Sequence, residues 1–147
     1  VSVLSVDPAC SIHPGQRAAP MIHHVSLGTN DADAAARFYD PVLAVIGLKR
    51  MSMASGSVAY GSGAHDYLFA LEKPSNGEPA TPGNGVHIAF AASHRKQVDA
   101  FYQAALANGG SDAGAPGLRP AYDAHYYGAF VLDPDGHNIE AVCHLDR

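Results

Sequence analysis

Cysteines, basic residues and long apolar runs are all scarce in this sequence. The 147 residues include only two cysteines, Cys10 and Cys143, and neither has a nearby partner that would indicate a zinc knuckle or a redox pair. The 9 Lys and Arg are outnumbered by 14 Asp and Glu and are scattered, which argues against a nucleic-acid partner. No stretch approaches the ~18 apolar residues that a membrane span needs. We therefore expect a cytoplasmic protein with reduced thiols that binds neither nucleic acid nor a membrane.

The chain has enough apolar residues to form one ordinary globular core. Hydrophobic residues make up 47% of it, and a domain of this size buries roughly 70% of its extended surface on folding. No disulfide or structural metal is needed to hold such a domain together, so a metal would serve function. Residues 1–20 contain three prolines and show no sustained period. We expect them to form a disordered N-terminal extension before a single domain over 21–147.

Two segments of the sequence repeat each other without a gap. The segment that begins at His24 aligns with the segment that begins at His87, and identical residues recur at a constant separation of 63 positions. Five of the matching pairs are His24 and His87, Phe38 and Phe101, Tyr39 and Tyr102, Leu43 and Leu106, and Gly47 and Gly110. Five matches in register, including an aromatic pair, indicate two copies of one supersecondary unit.

Each copy reads as a strand, a helix and three further strands. The first strand of each copy alternates apolar and other residues, which is the two-residue period of a sheet with one apolar face. In the first copy Pro41 interrupts the helical stripe, so we expect a kink near Tyr39 or a break into two helices. The later strands of the first copy are predicted at roughly 48–54, 57–61 and 66–73. In the second copy a weak strand is expected somewhere between 111 and 122, followed by strands at 126–132 and 137–144. The two modules span about 21–73 and 85–144, and a linker rich in Pro and Gly joins them.

Three side chains on these strands are candidates for a metal site. His24 and His87 occupy equivalent positions, and both point away from the more apolar face of their strands. Glu140 lies in the middle of the apolar last strand, where a carboxylate is costly to bury unless it is paired or coordinated. Each residue alone fits an ordinary packed or half-exposed position, but their joint occurrence on matching faces favours a shared site. Two imidazoles and one carboxylate with open positions suit a divalent transition metal that also binds substrate or water.

Several motifs carry a family resemblance. They are the duplicated unit, His24 seven residues before Asp31, the Phe38-Tyr39 pair, the Gly-Asn-Gly-Val-His run that ends at His87, and the sequence DPDGHNIEAV near the end of the chain. Together they resemble the vicinal oxygen chelate superfamily, which includes glyoxalase I, extradiol dioxygenases, fosfomycin-resistance thiol transferases and bleomycin-binding proteins. The resemblance implies an α+β fold in which two βαβββ modules form a cup-shaped, eight-stranded mixed sheet. It also implies a homodimer with a divalent metal ion (Ni, Zn, Mn or Fe) at the base of the cup.

The resemblance assigns metal ligands to the same three residues. Superfamily ligands come from the first strand of each module and the last strand of the second, which here fall on His24, His87 and Glu140. A glyoxalase I site adds a carboxylate on the last strand of the first module. The position that aligns with that ligand is Ala70, and Glu72 lies two residues further along the same face. Three protein ligands therefore resemble the dioxygenase and thiol-transferase sites more closely than the glyoxalase I site.

Four further residues are candidates for contact with a substrate. If Asp133–Gly136 forms a two-residue hairpin, Tyr127 shares the interior face of the sheet with the candidate carboxylate ligand and can stabilise an anionic substrate oxygen. Arg119, in a predicted loop, can anchor a carboxylate or phosphate, although an exposed loop arginine is the commoner situation. Tyr60 and Tyr67 can line the cup, although sheet cores use tyrosine freely.

The leading hypothesis from the sequence is a metal-dependent enzyme of the lactoylglutathione-lyase type. It would act on a small substrate that chelates the metal through two oxygens, and the metal would stabilise an enediolate or similar oxyanion. Glu140 or Glu72 is the candidate base for moving a proton between carbons. An Fe(II) extradiol dioxygenase or a thiol transferase would use the same three ligands. The remaining alternative is a non-catalytic small-molecule binding protein of the bleomycin-resistance type, which needs no metal.

Overall fold

The computed structural model describes residues 21–63 and 66–144, and in this part the chain forms two modules with the same order of elements. The first module comprises β1 (Val25–Gly28), α1 (Ala32–Ala44), β2 (Lys49–Ala54), β3 (Ser57–Gly61) and β4 (Phe69–Glu72). The second comprises β5 (His87–Ala91), α2 (Arg95–Ala107), β6 (Ser111–Leu118), β7 (Tyr127–Leu132) and β8 (Asn138–Cys143). The predicted α+β fold with two βαβββ modules is confirmed, whereas the predicted N-terminal extension, residues 1–20, lies outside the described residues.

Each module folds its strands into one mixed sheet. The strand order is β1-β4-β3-β2 in the first sheet and β5-β8-β7-β6 in the second. In each sheet the first strand runs parallel to the last strand of its module, and the other pairs are antiparallel. The eight predicted strands are therefore present, but in the described part of the chain they form two separate four-stranded sheets. This arrangement places the two repeat-equivalent histidines on different sheets.

Both helices contact the sheet of their own module and also each other. Helix α1 begins after Asp31, whose side chain accepts a hydrogen bond of 2.9 Å from the Ala34 N–H. The helix continues through Pro41, so of the two predicted alternatives the break into two helices is wrong, whereas the kink near Tyr39 stays a prediction. Phe38 and Leu43 are fully buried on either side of the proline, and their burial outweighs one lost backbone hydrogen bond. Neither helix in the described residues has the length and apolar character to cross a bilayer.

One hydrophobic core joins the two modules. It includes Tyr39 from the first module and Phe101 from the second, and the rings of Phe69 on β4 and Phe90 on β5 lie 5.2 Å apart. Most of these side chains lie between the sheets and the helices. The opposite faces of the two sheets are therefore left for the polar residues of the candidate site.

Candidate functional site

Glu140 has the most unusual environment among the predicted metal ligands. Its side chain on β8 is 0% exposed. Its Oε1 accepts a hydrogen bond of 2.5 Å from the Tyr126 hydroxyl. Its Oε2 lies 3.4 Å from His87 Nε2 but has no hydrogen-bond partner among the described residues. Because a buried carboxylate oxygen without a partner is costly, Oε2 is the atom at which a bound cation would be most favourable.

The separation of His87 and Glu140 fits two ligands of one metal ion. Histidine nitrogens and carboxylate oxygens bind zinc at roughly 2.0–2.2 Å, so two ligands of a tetrahedral site lie about 3.4 Å apart. The observed distance between His87 Nε2 and Glu140 Oε2 is 3.4 Å. Gly128 on β7 leaves room for the carboxylate, since a Cβ at this position would lie 2.8 Å from Glu140 Oε1. His87, Tyr126 and Glu140 are referred to below as half-site B.

His24 immediately precedes β1, the first strand of the other sheet. Its Nδ1 is 2.9 Å from His23 Nδ1, and its ring centroid is 4.6 Å from that of Tyr67. The Tyr67 hydroxyl donates a long hydrogen bond of 3.4 Å to Glu72 Oε1. Burial, and then the charge of Glu72, raise the pKa of Tyr67. His24, Tyr67 and Glu72 are referred to below as half-site A.

The structure therefore brings together two of the three predicted ligands. His87 and Glu140 are in contact in half-site B, whereas His24 belongs to half-site A on the first sheet. Within residues 21–63 and 66–144, no three His, Cys, Asp or Glu side chains of one chain come close enough to hold an ion together. A shared ion between all three ligands stays a prediction.

The strand registers identify the counterpart of Glu140 in the first module. Ser26 on β1 is opposite Ala70 on β4, and the repeat-equivalent Ala89 on β5 is opposite Glu140 on β8. Ala70 therefore occupies the position of the fourth carboxylate expected for glyoxalase I, in agreement with the sequence alignment. Glu72 lies two residues further along β4, at its exposed end.

The predicted placement of Tyr127 is wrong by one residue of register. Glu140 is opposite Phe130, and Tyr127 is opposite Cys143, so Tyr127 faces the helix rather than the carboxylate. Its hydroxyl donates a hydrogen bond of 2.7 Å to Asp99 on α2. That hydrogen bond, followed by burial, raises the pKa of Tyr127. Sequence reasoning missed Tyr126, which is the tyrosine that contacts the site.

Of the other three predicted substrate contacts, one is buried in the core and two lie at or near the half-sites. Tyr60 does not line the cup, because it is 0% exposed in the core and its hydroxyl donates a hydrogen bond of 2.9 Å to Asp40. Burial and this hydrogen bond raise the pKa of Tyr60. Arg119 does lie near half-site B, with its guanidinium carbon 5.9 Å from the centre of the Phe130 ring. Tyr67 lies in half-site A.

Comparison with known proteins shows the family of the chain. The family model of the Glyoxalase/Bleomycin resistance protein/Dioxygenase superfamily matches residues 21–141. A glyoxalase/bleomycin resistance protein from Albidiferax ferrireducens is 38% identical, with a TM-score of 0.75 over 84% of this chain and 98% of that chain. No relative was found among curated proteins.

Two more distant structures share the fold. A glyoxalase-related enzyme from Fulvimarina pelagi is 22% identical, with a TM-score of 0.66 over 84% of this chain and 88% of that chain. A lactoylglutathione lyase from Agrobacterium tumefaciens is 21% identical, with a TM-score of 0.59 over 86% of this chain and 95% of that chain. At these identities the likeness concerns the fold alone. From the family match and the 38% identical relative, the chain belongs to the Glyoxalase/Bleomycin resistance protein/Dioxygenase superfamily.

Proposed function

We propose that this chain is a metal-dependent, glyoxalase-like enzyme that acts on a small substrate through two oxygens, with lyase or isomerase chemistry of the lactoylglutathione-lyase type. The observation that carries the proposal is the fully buried Glu140, whose Oε2 lacks a hydrogen-bond partner and lies 3.4 Å from His87 Nε2. A binding groove that uses no metal has no need for this costly arrangement. We place the enzyme in the cytoplasm because its two cysteines are distant in sequence.

In this proposal His24, His87 and Glu140 hold a divalent cation. The cation supplies Lewis-acid stabilisation of negative charge that develops on the substrate oxygens. Tyr126 holds Oε1 of Glu140, so that Oε2 stays directed at His87. Glu72 is exposed and accepts a hydrogen bond from Tyr67. We assign Glu72 the transfer of a proton between substrate carbons, because it is the carboxylate that does not already serve as a ligand.

The proposal includes a homodimer, because one chain carries the ligands in two half-sites. In a twofold dimer, half-site A of one chain can face half-site B of its partner, and the symmetry then produces two equivalent sites. The faces involved are open in the single chain. His87, Ala89 and Ala91 on β5 are exposed, and so are all residues of β2, including Met51 and Met53.

A second candidate function is Fe(II)-dependent extradiol ring cleavage. It is favoured by Ala70, which replaces a carboxylate at the position equivalent to Glu140. The site then offers two imidazoles and one carboxylate, the ligand set of many non-haem Fe(II) oxygenases. A thiol transferase with three protein ligands fits the same observation.

Metal binding and substrate choice test these proposals in order. The protein should be purified without chelators, and its thermal unfolding followed with added Ni²⁺, Zn²⁺, Mn²⁺ or Fe²⁺. We expect a metal that binds the native state to raise the unfolding midpoint, and His87→Ala to abolish the shift. His94→Asn is the matched control, since His94 is the N-cap of α2 and Asn is a good N-cap.

Turnover then separates the candidate functions. The hemithioacetal of methylglyoxal and glutathione should be isomerised by the glyoxalase-like enzyme, whereas catechol should be cleaved by the Fe(II)-loaded dioxygenase. Binding of small aromatic compounds without metal, together with no midpoint shift from any of the four ions, would instead identify a non-catalytic binding protein.

A further inference from the structure

Arg119 shares a face of the second sheet with the residues of half-site B. It follows β6 directly, and its N–H donates a hydrogen bond of 2.8 Å to the Tyr126 carbonyl, so the two residues lie opposite each other. The register of β7 and β8 places Gly128 and Phe130 on this same face, and Phe130 is opposite Glu140. A cationic side chain thus lies on the same face of the sheet as the proposed metal ligands.

The Arg119 guanidinium bonds to one backbone carbonyl of β6 and lies next to two glycines of that strand. Arg119 Nη2 donates a hydrogen bond of 2.7 Å to the Ala115 carbonyl. A Cβ on Gly114 would lie 3.3 Å from Nη2, and a Cβ on Gly117 would lie 3.2 Å from Nη1. Larger residues at these two positions of β6 would therefore crowd the guanidinium.

Phe130 connects this guanidinium with the ligand pair. Its ring centre lies 5.9 Å from the Arg119 guanidinium carbon and 5.8 Å from the ring centre of His87. Among the described residues, no carboxylate lies within ion-pair distance of Arg119. Arg119 as a residue is half-buried. Its Nη1 makes only a long hydrogen bond of 3.5 Å to the Leu118 carbonyl, so the guanidinium keeps N–H groups that can bind an anion in a bidentate manner.

We infer that Arg119 binds a carboxylate of the substrate, so that the enzyme selects substrates in which a negatively charged group accompanies the two chelating oxygens. The inference rests on the proposed function, since it places the chelating oxygens at His87 and Glu140. A carboxylate is planar, and its two oxygens match a single guanidinium through two parallel hydrogen bonds.

Two diols that differ by one carboxylate test this inference. Catechol and 3,4-dihydroxybenzoate should be titrated by calorimetry into protein loaded with Zn²⁺, which cannot oxidise either compound. We expect 3,4-dihydroxybenzoate to bind about 10-fold more tightly than catechol, because a charge-assisted hydrogen bond adds to the same chelation. Arg119→Gln should remove this advantage and leave catechol affinity unchanged, whereas Arg119→Lys should keep part of it.

Arg37→Gln is the matched control, because it removes the same charge from an exposed position on α1. It should retain the preference for the carboxylate, and the thermal unfolding midpoint of each variant shows whether it is folded. Equal binding of the two diols, or a preference that persists in Arg119→Gln, would overturn the role of Arg119 and leave the proposed function intact. Failure of both diols to bind to protein that does bind Zn²⁺ would overturn this inference alone, whereas failure of the protein to bind any divalent ion would overturn the proposed function and this inference with it.

Discussion

At the scale of single residues, the candidate site depends on the contact between Tyr126 and Glu140. A carboxylate has two oxygens, and the Tyr126 hydroxyl occupies Oε1 at 2.5 Å. Burial of Tyr126 and this hydrogen bond raise the pKa of Tyr126, so its hydroxyl stays protonated and acts as a donor at neutral pH. The second oxygen, Oε2, is left to meet His87. Tyr126 is therefore a positioning residue for Glu140.

Tyr126→Phe should weaken metal binding without unfolding the protein. Loss of a hydrogen bond that orients a ligand typically costs 10-fold or more in metal affinity. We expect a loss of about 10-fold in Zn²⁺ affinity, measured by competition with a coloured chelator, together with a changed visible spectrum of the Co²⁺-loaded protein.

Tyr127→Phe provides the control for this prediction. It removes the same atom from the next residue, whose hydroxyl bonds to Asp99 on the helix side of the sheet. Its Zn²⁺ affinity and Co²⁺ spectrum should match those of the parent. Equal effects of the two substitutions would show that Tyr126 has no special role in the site.

The hairpin of β7 and β8 explains, at the scale of elements, which tyrosine faces the site. A two-residue turn would set Asp133 opposite Gly136, but the Asp133 N–H bonds to the His137 carbonyl instead. Gly136 has φ of +87°, and a left-handed residue at this place is typical of a three-residue hairpin loop. The extra residue shifts the strand register by one. A shift of one residue moves each side chain of a strand to the opposite face of the sheet.

The elements themselves could be predicted because they depend on local patterns. Alternation of apolar residues and the repeat located all eight strands, and it placed His24 and His87 away from the core. The continuation of α1 through Pro41 could not be predicted, because it depends on the burial of Phe38 and Leu43 by distant residues. The choice between Tyr126 and Tyr127 depended on turn type, which the sequence Asp-Pro-Asp-Gly leaves open.

Gly128→Ala tests the packing of strand β7 against the carboxylate. The added Cβ would lie 2.8 Å from Glu140 Oε1 and 3.2 Å from a ring carbon of Tyr126. We expect roughly 1–3 kcal/mol of lost unfolding free energy from overpacking in a buried position, measured by chemical denaturation. Glu140→Asp should recover part of that loss in the double variant, because the shorter side chain withdraws the carboxylate. Additive losses would mean that the strain lies elsewhere.

Polar contacts tie the two modules together at the scale of the whole molecule. The Tyr39 hydroxyl on α1 donates a hydrogen bond of 2.7 Å to Asp133 Oδ2 in the second module. His137 Nε2 is 2.6 Å from the Gly28 carbonyl at the end of β1, and the Thr29 hydroxyl donates a 2.6 Å bond to Asp135. These contacts fix the turn of the second module against the first strand.

Asp133→Asn should change how stability depends on pH. Burial raises the pKa of Asp133 above its ordinary value of 3.8, against opposing hydrogen bonds from Tyr39 and the His137 backbone. The folded protein therefore holds this proton more tightly than the unfolded chain, and the unfolding free energy falls as pH rises from 3.8 through the folded pKa. The Asp133→Asn variant does not show this fall in unfolding free energy. Its stability relative to the parent should therefore increase as the pH rises from 3.8 through the folded pKa of Asp133. A difference independent of pH, measured by denaturant titration, would contradict this account.

The division of ligands between two half-sites leads to a prediction about the assembled molecule. His24 and His87 lie on different sheets of one chain, so a dimer-shared site would draw one histidine from each subunit. His24→Ala and His87→Ala homodimers should then both lose Zn²⁺. When the two variants are unfolded and refolded together, half of the dimers are mixed and each mixed dimer has one intact site, so about a quarter of the parent metal content should return.

The control for this experiment uses two substitutions in the same half-site. His87→Ala and Glu140→Ala both damage half-site B, so every site in their mixed dimers contains a defect and no metal should return. If the three ligands instead met within one chain, His24→Ala and His87→Ala could not complement each other, because each chain would carry its own broken site. If Zn²⁺ binding returns in the mixture of His24→Ala and His87→Ala but not in the mixture of His87→Ala and Glu140→Ala, then His24 of one subunit and His87 of the other must share one ion.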